Sequence, residues 1–140
     1  MDLLKLENQL CFPLYALSRQ ITNLYRPLLE KLDLTYPQYL VMLLLWEHHG
    51  LSVKSIGEHL RLDSGTLSPL LKRLEKRGLL TRTRDEQDER LVKISLTPEG
   101  EKLKIKAKDI PATLRGQLPI EAAEGKQLIK QLKTILNSIS

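Results

Sequence analysis

Between Leu51 and Gly100 the chain reads "LSVKSIGEHLRLDSGTLSPLLKRLEKRGLLTRTRDEQDERLVKISLTPEG", and its hydrophobic period changes part-way. That change constrains the fold more than any other feature. Up to Gly78 the apolar residues recur at helical steps; beyond it they alternate. Ser52 is placed to cap a short helix ending near Leu60, and "RLD" makes a tight connection. Asp63 or Ser64 then caps a second helix with Leu67, Leu70, Leu71 and Leu74 on its apolar side, and Gly78 fits the position just past its end. Two short helices so joined form a helix-turn-helix. "LLTRTR" and "RLVKISL" alternate about the polar "DEQDE", with Val92, Ile94 and Leu96 on one side, which predicts a two-stranded hairpin. A hairpin after a helix-turn-helix is a wing.

Helices are expected on both flanks. Leu14, Leu17, Ile21, Leu24 and Leu28 predict a helix from Pro13 to about residue 31, with Pro13 in its first turn and Pro27 kinking or thinning it. Thr35 and Gln38 form a capping box for a helix from Tyr36 to about His49, which Gly50 ends. Thr97 caps, and Pro98 opens, a helix running to about Ile110, where Pro111 breaks it. A last amphipathic segment spans about Pro119 to Ile139, with Leu128, Ile129, Leu132, Ile135, Leu136 and Ile139. The chain therefore reads as mainly α: N-terminal helices over 1–50, a winged helix-turn-helix over 51–97 and C-terminal helices over 98–140, within one domain. The flanks hold more apolar residues than a winged helix covers, so a symmetric dimer built from both ends is expected.

Charge points to a polyanion. From Lys72 to Arg84 six basic residues stand against the single acid Glu75, an excess equal to the whole chain's +5. A winged helix sets its second helix in the major groove and its hairpin on the backbone or in the minor groove. Ser64, Thr66, Ser68, Lys72 and Arg73 on that helix, and Arg82, Arg84 and Arg90 on the wing, are the candidate DNA contacts, with Asp88 placed to orient Arg90. Each also fits a plainer role: Ser64 as a cap, Thr66 and Ser68 as solvated hydroxyls, Arg82 and Arg84 as strand-surface charges. "YLVMLLLW" is too short to span a bilayer and no signal-peptide pattern appears, so a cytoplasmic location is expected. One cysteine, Cys11, forms no internal disulfide, and His48, His49 and His59 lack metal-ligand spacing; no metal or cofactor is expected.

The run from Leu62 to Gly100 is similar to the winged-helix core of MarR-type repressors, whose wing ends in a "DER…SLT.EG" pattern. "LENQLCFPLYALSR", "LYRPLLEKLDLTYPQYLVMLLLWE" and "LDSGTLSPLLKRLE" resemble the organic-hydroperoxide-sensing, OhrR-type members. The resemblance covers nearly the whole chain to about Pro111. It implies a homodimeric repressor on an inverted-repeat operator, released by oxidation of one N-terminal cysteine. That cysteine matches Cys11; the tyrosines that support it match Tyr25 and Tyr36, expected from the partner subunit, with Tyr15 nearby. Arg90 and Asp88 match the wing pair. Members with a second, resolving cysteine differ from this chain, which has one, so the one-cysteine type is implied, with a low-molecular-weight thiol as the expected second reactant.

Helix-end chemistry agrees. Pro13 puts Cys11 at or just before a helix N-terminus, where free N–H groups and the dipole favour a thiolate. Phenols from Tyr25 and Tyr36 can donate hydrogen bonds to it, and Phe12, Leu14 and the helix of Tyr39 to Trp46 offer an apolar wall suited to a lipophilic peroxide. A lone cysteine is otherwise more often an inert core residue. Other functions remain open: a MarR-type repressor released by a non-covalent phenolic or lipophilic ligand, a thiol peroxidase using Cys11, or a winged helix used for protein contact. An enzyme is not expected, because turnover needs a resolving thiol.

Overall fold

The computed structural model describes residues 2–139. After a 3-10 turn at Leu6–Asn8 the elements are α1 (Cys11–Glu30), α2 (Tyr36–Glu47), β1 (Leu51–Ser52), α3 (Val53–Leu60), α4 (Ser64–Lys76), β2 (Leu80–Arg84), β3 (Val92–Leu96), α5 (Pro98–Ala107), α6 (Ile110–Gln117) and α7 (Ala122–Ser138). The residues fall into two compact units, one through Lys108 and one from Asp109. The mainly helical winged helix-turn-helix read from the sequence lies in the first.

In that unit α2 is the axis. It is apolar on every side, and Tyr39, Val41, Met42, Leu44, Leu45 and Trp46 are all buried, as a helix without a polar face must be. The Thr35–Gln38 capping box starts it, with Gln38 Oε1 accepting from Thr35 N at 2.9 Å. The Trp46 indole donates to Gly100 O at 2.9 Å, which ties the end of α2 to the first turn of α5. Position 100 has to be glycine: a Cβ there would lie 2.2 Å from Leu79 O. Ile56, Leu67, Leu71, Leu74, Leu80 and Ile94, each at most 1 % exposed, form the core of the winged helix, against which α2 packs.

Local chemistry sets the ends of the reading module. Ser52 caps α3, its Oγ accepting from Ser55 N at 3.0 Å. Arg61 takes the left-handed backbone (φ 55°) that turns α3 into α4. At the other end of α4, Leu79 N donates to Leu74 O at 3.0 Å and Gly78 N to Glu75 O at 2.9 Å, with Gly78 at φ 74°. This is the paired closure that a glycine past a helix end permits.

Several boundaries differ from the sequence reading. α1 starts at Cys11, two residues before Pro13, and continues through Pro27 to Glu30. α2 stops at Glu47, short of His49. The hairpin gains a third strand: β1 pairs antiparallel with β3 (Leu51 opposite Ile94), giving the order β1-β3-β2. α5 ends at Ala107, and Pro111 breaks nothing. It sits in the first turn of α6, where its missing N–H costs no helical hydrogen bond. α7 begins at Ala122 behind a Glu121–Glu124 capping box. Among the described residues no helix is long and apolar enough to cross a membrane, and no group of three or more His, Cys, Asp or Glu could hold a metal.

A candidate nucleic-acid interface and a candidate thiol site

Asp63, not Ser64, caps the reading helix. Its Oδ1 accepts from Thr66 N at 2.7 Å, and that bond is the main reason its carboxyl titrates below the usual carboxylate range. Ser64 is thereby left as an exposed hydroxyl at the first helical position. With Leu67, Leu70, Leu71 and Leu74 turned to the core, the outward stripe of α4 runs Ser64, Ser68, Lys72 at four-residue steps, with Thr66 and Arg73 one face over. Ser68 is half-buried and the other four are exposed. A hydroxyl-rich first half followed by two cations is a surface that approaches a phosphate backbone closely and holds it by charge.

The wing arginines do three different things. Arg82 pairs with Glu75 at 3.3 Å, which fastens β2 to α4. Arg84 donates to Glu89 O at 3.1 Å and holds the loop. Arg90 reaches into solvent at the tip with its side chain 93 % exposed, and Asp88 Oδ1 accepts from both its backbone N (3.1 Å) and its Nε (3.3 Å). Asp88 and Arg90 are thus brought together as the sequence suggested. Asp85 was missed: its Oδ1 accepts from Gln87 N at 2.8 Å and its own N donates to Leu91 O at 2.8 Å, so it organises the loop that presents Arg90. An aspartate opening a polar loop between two alternating strands was the available signal. Lys54 and Arg61 were missed as well. With Ser64, Ser68, Arg82 and Arg90 they line a concavity of about 780 Å³ between α3, α4 and the wing.

Cys11 is the first residue of α1 and is exposed. Around it Leu10, Phe12, Leu14 and Leu17 are exposed too, at 78, 45, 46 and 46 %. Tyr15 is 61 % exposed and carries the Arg19 guanidinium 5.6 Å above its ring, so it belongs to the open end of the helix. Tyr25 and Tyr36 lie elsewhere, with ring centres 4.7 Å apart, and Tyr39 completes a trio at 5.6 and 6.3 Å from them. Tyr39 had been read only as part of a buried run. Its spacing of three from Tyr36 on one helix was the overlooked sign. Burial, reinforced by the Tyr36 and Tyr39 phenols, pushes Tyr25 up to about 12; burial alone raises Tyr36, and burial with the Tyr36 phenol raises Tyr39. All three therefore stay protonated, as O–H donors, across the neutral range.

The thiol and the phenols are not neighbours within one chain. Cys11 and Tyr25 are fourteen residues apart on one helix, a rise of about 21 Å. In the second unit α7 likewise leaves Ile129, Ile135 and Leu136 exposed at 52, 53 and 44 %.

Residues 23–107 match the family described as transcriptional regulator SarA/Rot. An organic hydroperoxide resistance transcriptional regulator of Bacillus subtilis (strain 168) is 58 % identical over 138 residues, 99 % of this chain and 94 % of that protein. Among solved structures, reduced AbfR bound to DNA (the Staphylococcus epidermidis protein) is similar with a TM-score of 0.81 at 38 % identity, over 96 % of this chain and 94 % of that one. A MarR-family transcriptional regulator from Rhodococcus sp. RHA1 is similar with a TM-score of 0.83 at 25 % identity, over 94 and 95 % of the two chains.

Proposed function

This chain belongs to the MarR family of transcriptional regulators, and from that premise we propose that it is a redox-sensing repressor, binding operator DNA as a homodimer and releasing it when an organic hydroperoxide oxidises Cys11. The observation that carries the reading is the length of α1. It sets Cys11 and Tyr25 about 21 Å apart on one helix, and Tyr36, at the start of α2, lies against Tyr25, so a thiol supported by this pair needs two copies of the chain. The exposed apolar residues beside Cys11 are the surface such a partner covers, and α7 is the second dimerisation helix. The hydroperoxide class follows from the 58 % identical relative, whose name carries that signal.

The proposed steps follow from these groups. The Cys11 thiolate attacks one oxygen of the hydroperoxide, the O–O bond breaks, and the other oxygen leaves as an alcohol after taking a proton. The phenols of the partner subunit donate hydrogen bonds to the thiolate and to the departing oxygen. Among the residues of the chain there is no second cysteine to close a disulfide. The sulfenic acid therefore condenses with a low-molecular-weight thiol, forming a mixed disulfide and water. That adduct is bulkier than a site sealed by a partner's tyrosines can hold, so the two reading helices lose the spacing of the half-sites, about one DNA turn apart. Ser64, Thr66, Ser68, Lys72 and Arg73 make the groove and phosphate contacts. Arg90, aimed by Asp88, enters the minor groove, while Arg82 and Arg84 brace the wing beside the backbone.

One observation favours a second reading, release by a non-covalent lipophilic ligand: the concavity of about 780 Å³ beside the reading helix. Cys11→Ser separates the two. It is expected to bind operator like the wild type and to stay bound after treatment with cumene hydroperoxide and cysteine, measured by fluorescence anisotropy. Release of DNA by that variant under peroxide would refute thiol sensing.

A further inference from the structure

The reading helix ends on a residue whose contacts lie far away in sequence. Arg77, which caps α4, donates through Nη1 to Asp33 O and through Nη2 to Leu32 O at 3.1 Å, and its Nε lies 3.7 Å from Asp33 Oδ2. One guanidinium thus grips two successive carbonyls and a carboxylate. Those carbonyls belong to the corner between α1 and α2. Leu34 N donates to Leu29 O at 3.1 Å and Asp33 N to Glu30 O at 3.0 Å, so the corner is a helix closure whose turning residue is Asp33. Asp33 holds φ 53°, a left-handed backbone that costs a residue with a Cβ and persists only when its surroundings enforce it. A cation on the last carbonyls of a helix supplies that enforcement.

The same corner carries the tyrosines. Tyr36 opens α2 three residues after Asp33, and Tyr25 stacks on it from α1. Tyr36 is the first residue of α2, so the Leu32 and Asp33 carbonyls lie within four residues of it in the same corner. On the far side, Arg77 is the C-cap just past Lys76, the last residue of the reading helix, and Glu75 two residues before it fastens Arg82 of the wing at 3.3 Å. Arg77 therefore joins α4 to the corner that carries the tyrosine pair, and α4 in turn holds the wing through Glu75 and Arg82. A lysine could not reproduce it, since an ammonium lacks the planar fork that spans two carbonyls.

We propose that Arg77 is the positioning residue that transmits oxidation to the reading helix, by locking α4 to the α1–α2 corner that bears Tyr25 and Tyr36. This rests on the redox-repressor reading above. The test measures operator affinity of the full-length protein, reduced and after cumene hydroperoxide plus cysteine, for the wild type, Arg77→Ala and Arg77→Lys, with mass spectrometry of Cys11 in each. The readout is the ratio of reduced to oxidised affinity, which a loss of reading-helix stability alone would not change. Cys11 is expected to be modified equally in all three. The ratio is expected to shrink about fivefold or more in Arg77→Ala, and by a smaller factor in Arg77→Lys, a size typical of coupling between sites. Arg77→Lys keeps the stem and charge and decides the matter if the alanine variant does not fold. Ratios equal to the wild type's overturn the proposal. A wild type whose affinity ignores Cys11 oxidation overturns the redox reading itself, and the proposal with it.

Discussion

The reading helix α4 and the first half of α1 carry the same kind of sequence, leucines at helical steps on one face, and they end in opposite conditions. Leu71 and Leu74 of α4 are 0 % exposed, whereas Leu14 and Leu17 of α1 are each 46 % exposed. α4 finds its partners within the chain, from α2, α3 and the hairpin. The start of α1 finds none that cover it. The difference separates what one chain completes from what two complete. A surface that reads DNA has to be rigid before it meets its ligand, so its core is closed locally. A sensor that has to let go of DNA is better placed where a second copy finishes it, because a change at the thiol then becomes a change between subunits.

The comparison can be broken from either side, and the larger effect is expected on the closed side. Leu71→Ala removes packing that nothing replaces and should cost about 2–5 kcal/mol of folding stability, seen as a lowered urea midpoint. A loss well under 1 kcal/mol would mean the core around α4 is not closed within one chain. On the open side, Leu14→Asp should leave the helical circular dichroism of the chain unchanged, because the side chain already faces water. It should weaken self-association by more than about tenfold, since a carboxylate would be buried unpaired in the interface. Sedimentation velocity over a dilution series checks this, and an unaltered dimer would remove α1 from the proposed interface.

The closed region was also the more legible one. The switch from helical to alternating period, Ser52 and Thr97 as caps and Gly78 past the end of α4 all announce themselves within a few residues. β1 did not, because two residues show no period and the strand exists only by pairing with β3. α6 was hidden because Pro111 serves equally to stop one helix or to start another. The candidate site was legible where it is local and obscure where it is not. Asp88 and Arg90 are two residues apart, and their pairing could be anticipated. Arg77 bonds to main-chain carbonyls 44 and 45 positions away, and a carbonyl leaves no mark in a sequence. Tyr39 was masked by the apolar run around it.

The tyrosine trio gives the smallest effect and a pH signature. It bridges the two conditions, because its rings are packed by this chain while the hydroxyls of Tyr25 and Tyr36 are proposed to serve a partner's thiol. Tyr25 is raised to about 12 from 10.0, and Tyr36 and Tyr39 are raised too, with burial as the leading cause. For an acid whose proton is held more tightly in the folded state, the native form binds more protons than the unfolded form between the two pKa values. Stability is therefore fully present below pH 10 and falls as the pH climbs from about 10 toward 12. Urea midpoints are expected to be level from neutral pH to about 9 and then to decline. The decline should be shallower in Tyr25→Phe, which has no phenol to deprotonate. An alkaline decline of the same slope in that variant would assign it to other groups, such as the lysines. If instead phenolate absorbance grew in near pH 10 in the folded protein, the tyrosines would titrate like exposed phenols, and the trio would not be the packed, proton-holding cluster that a thiolate partner requires.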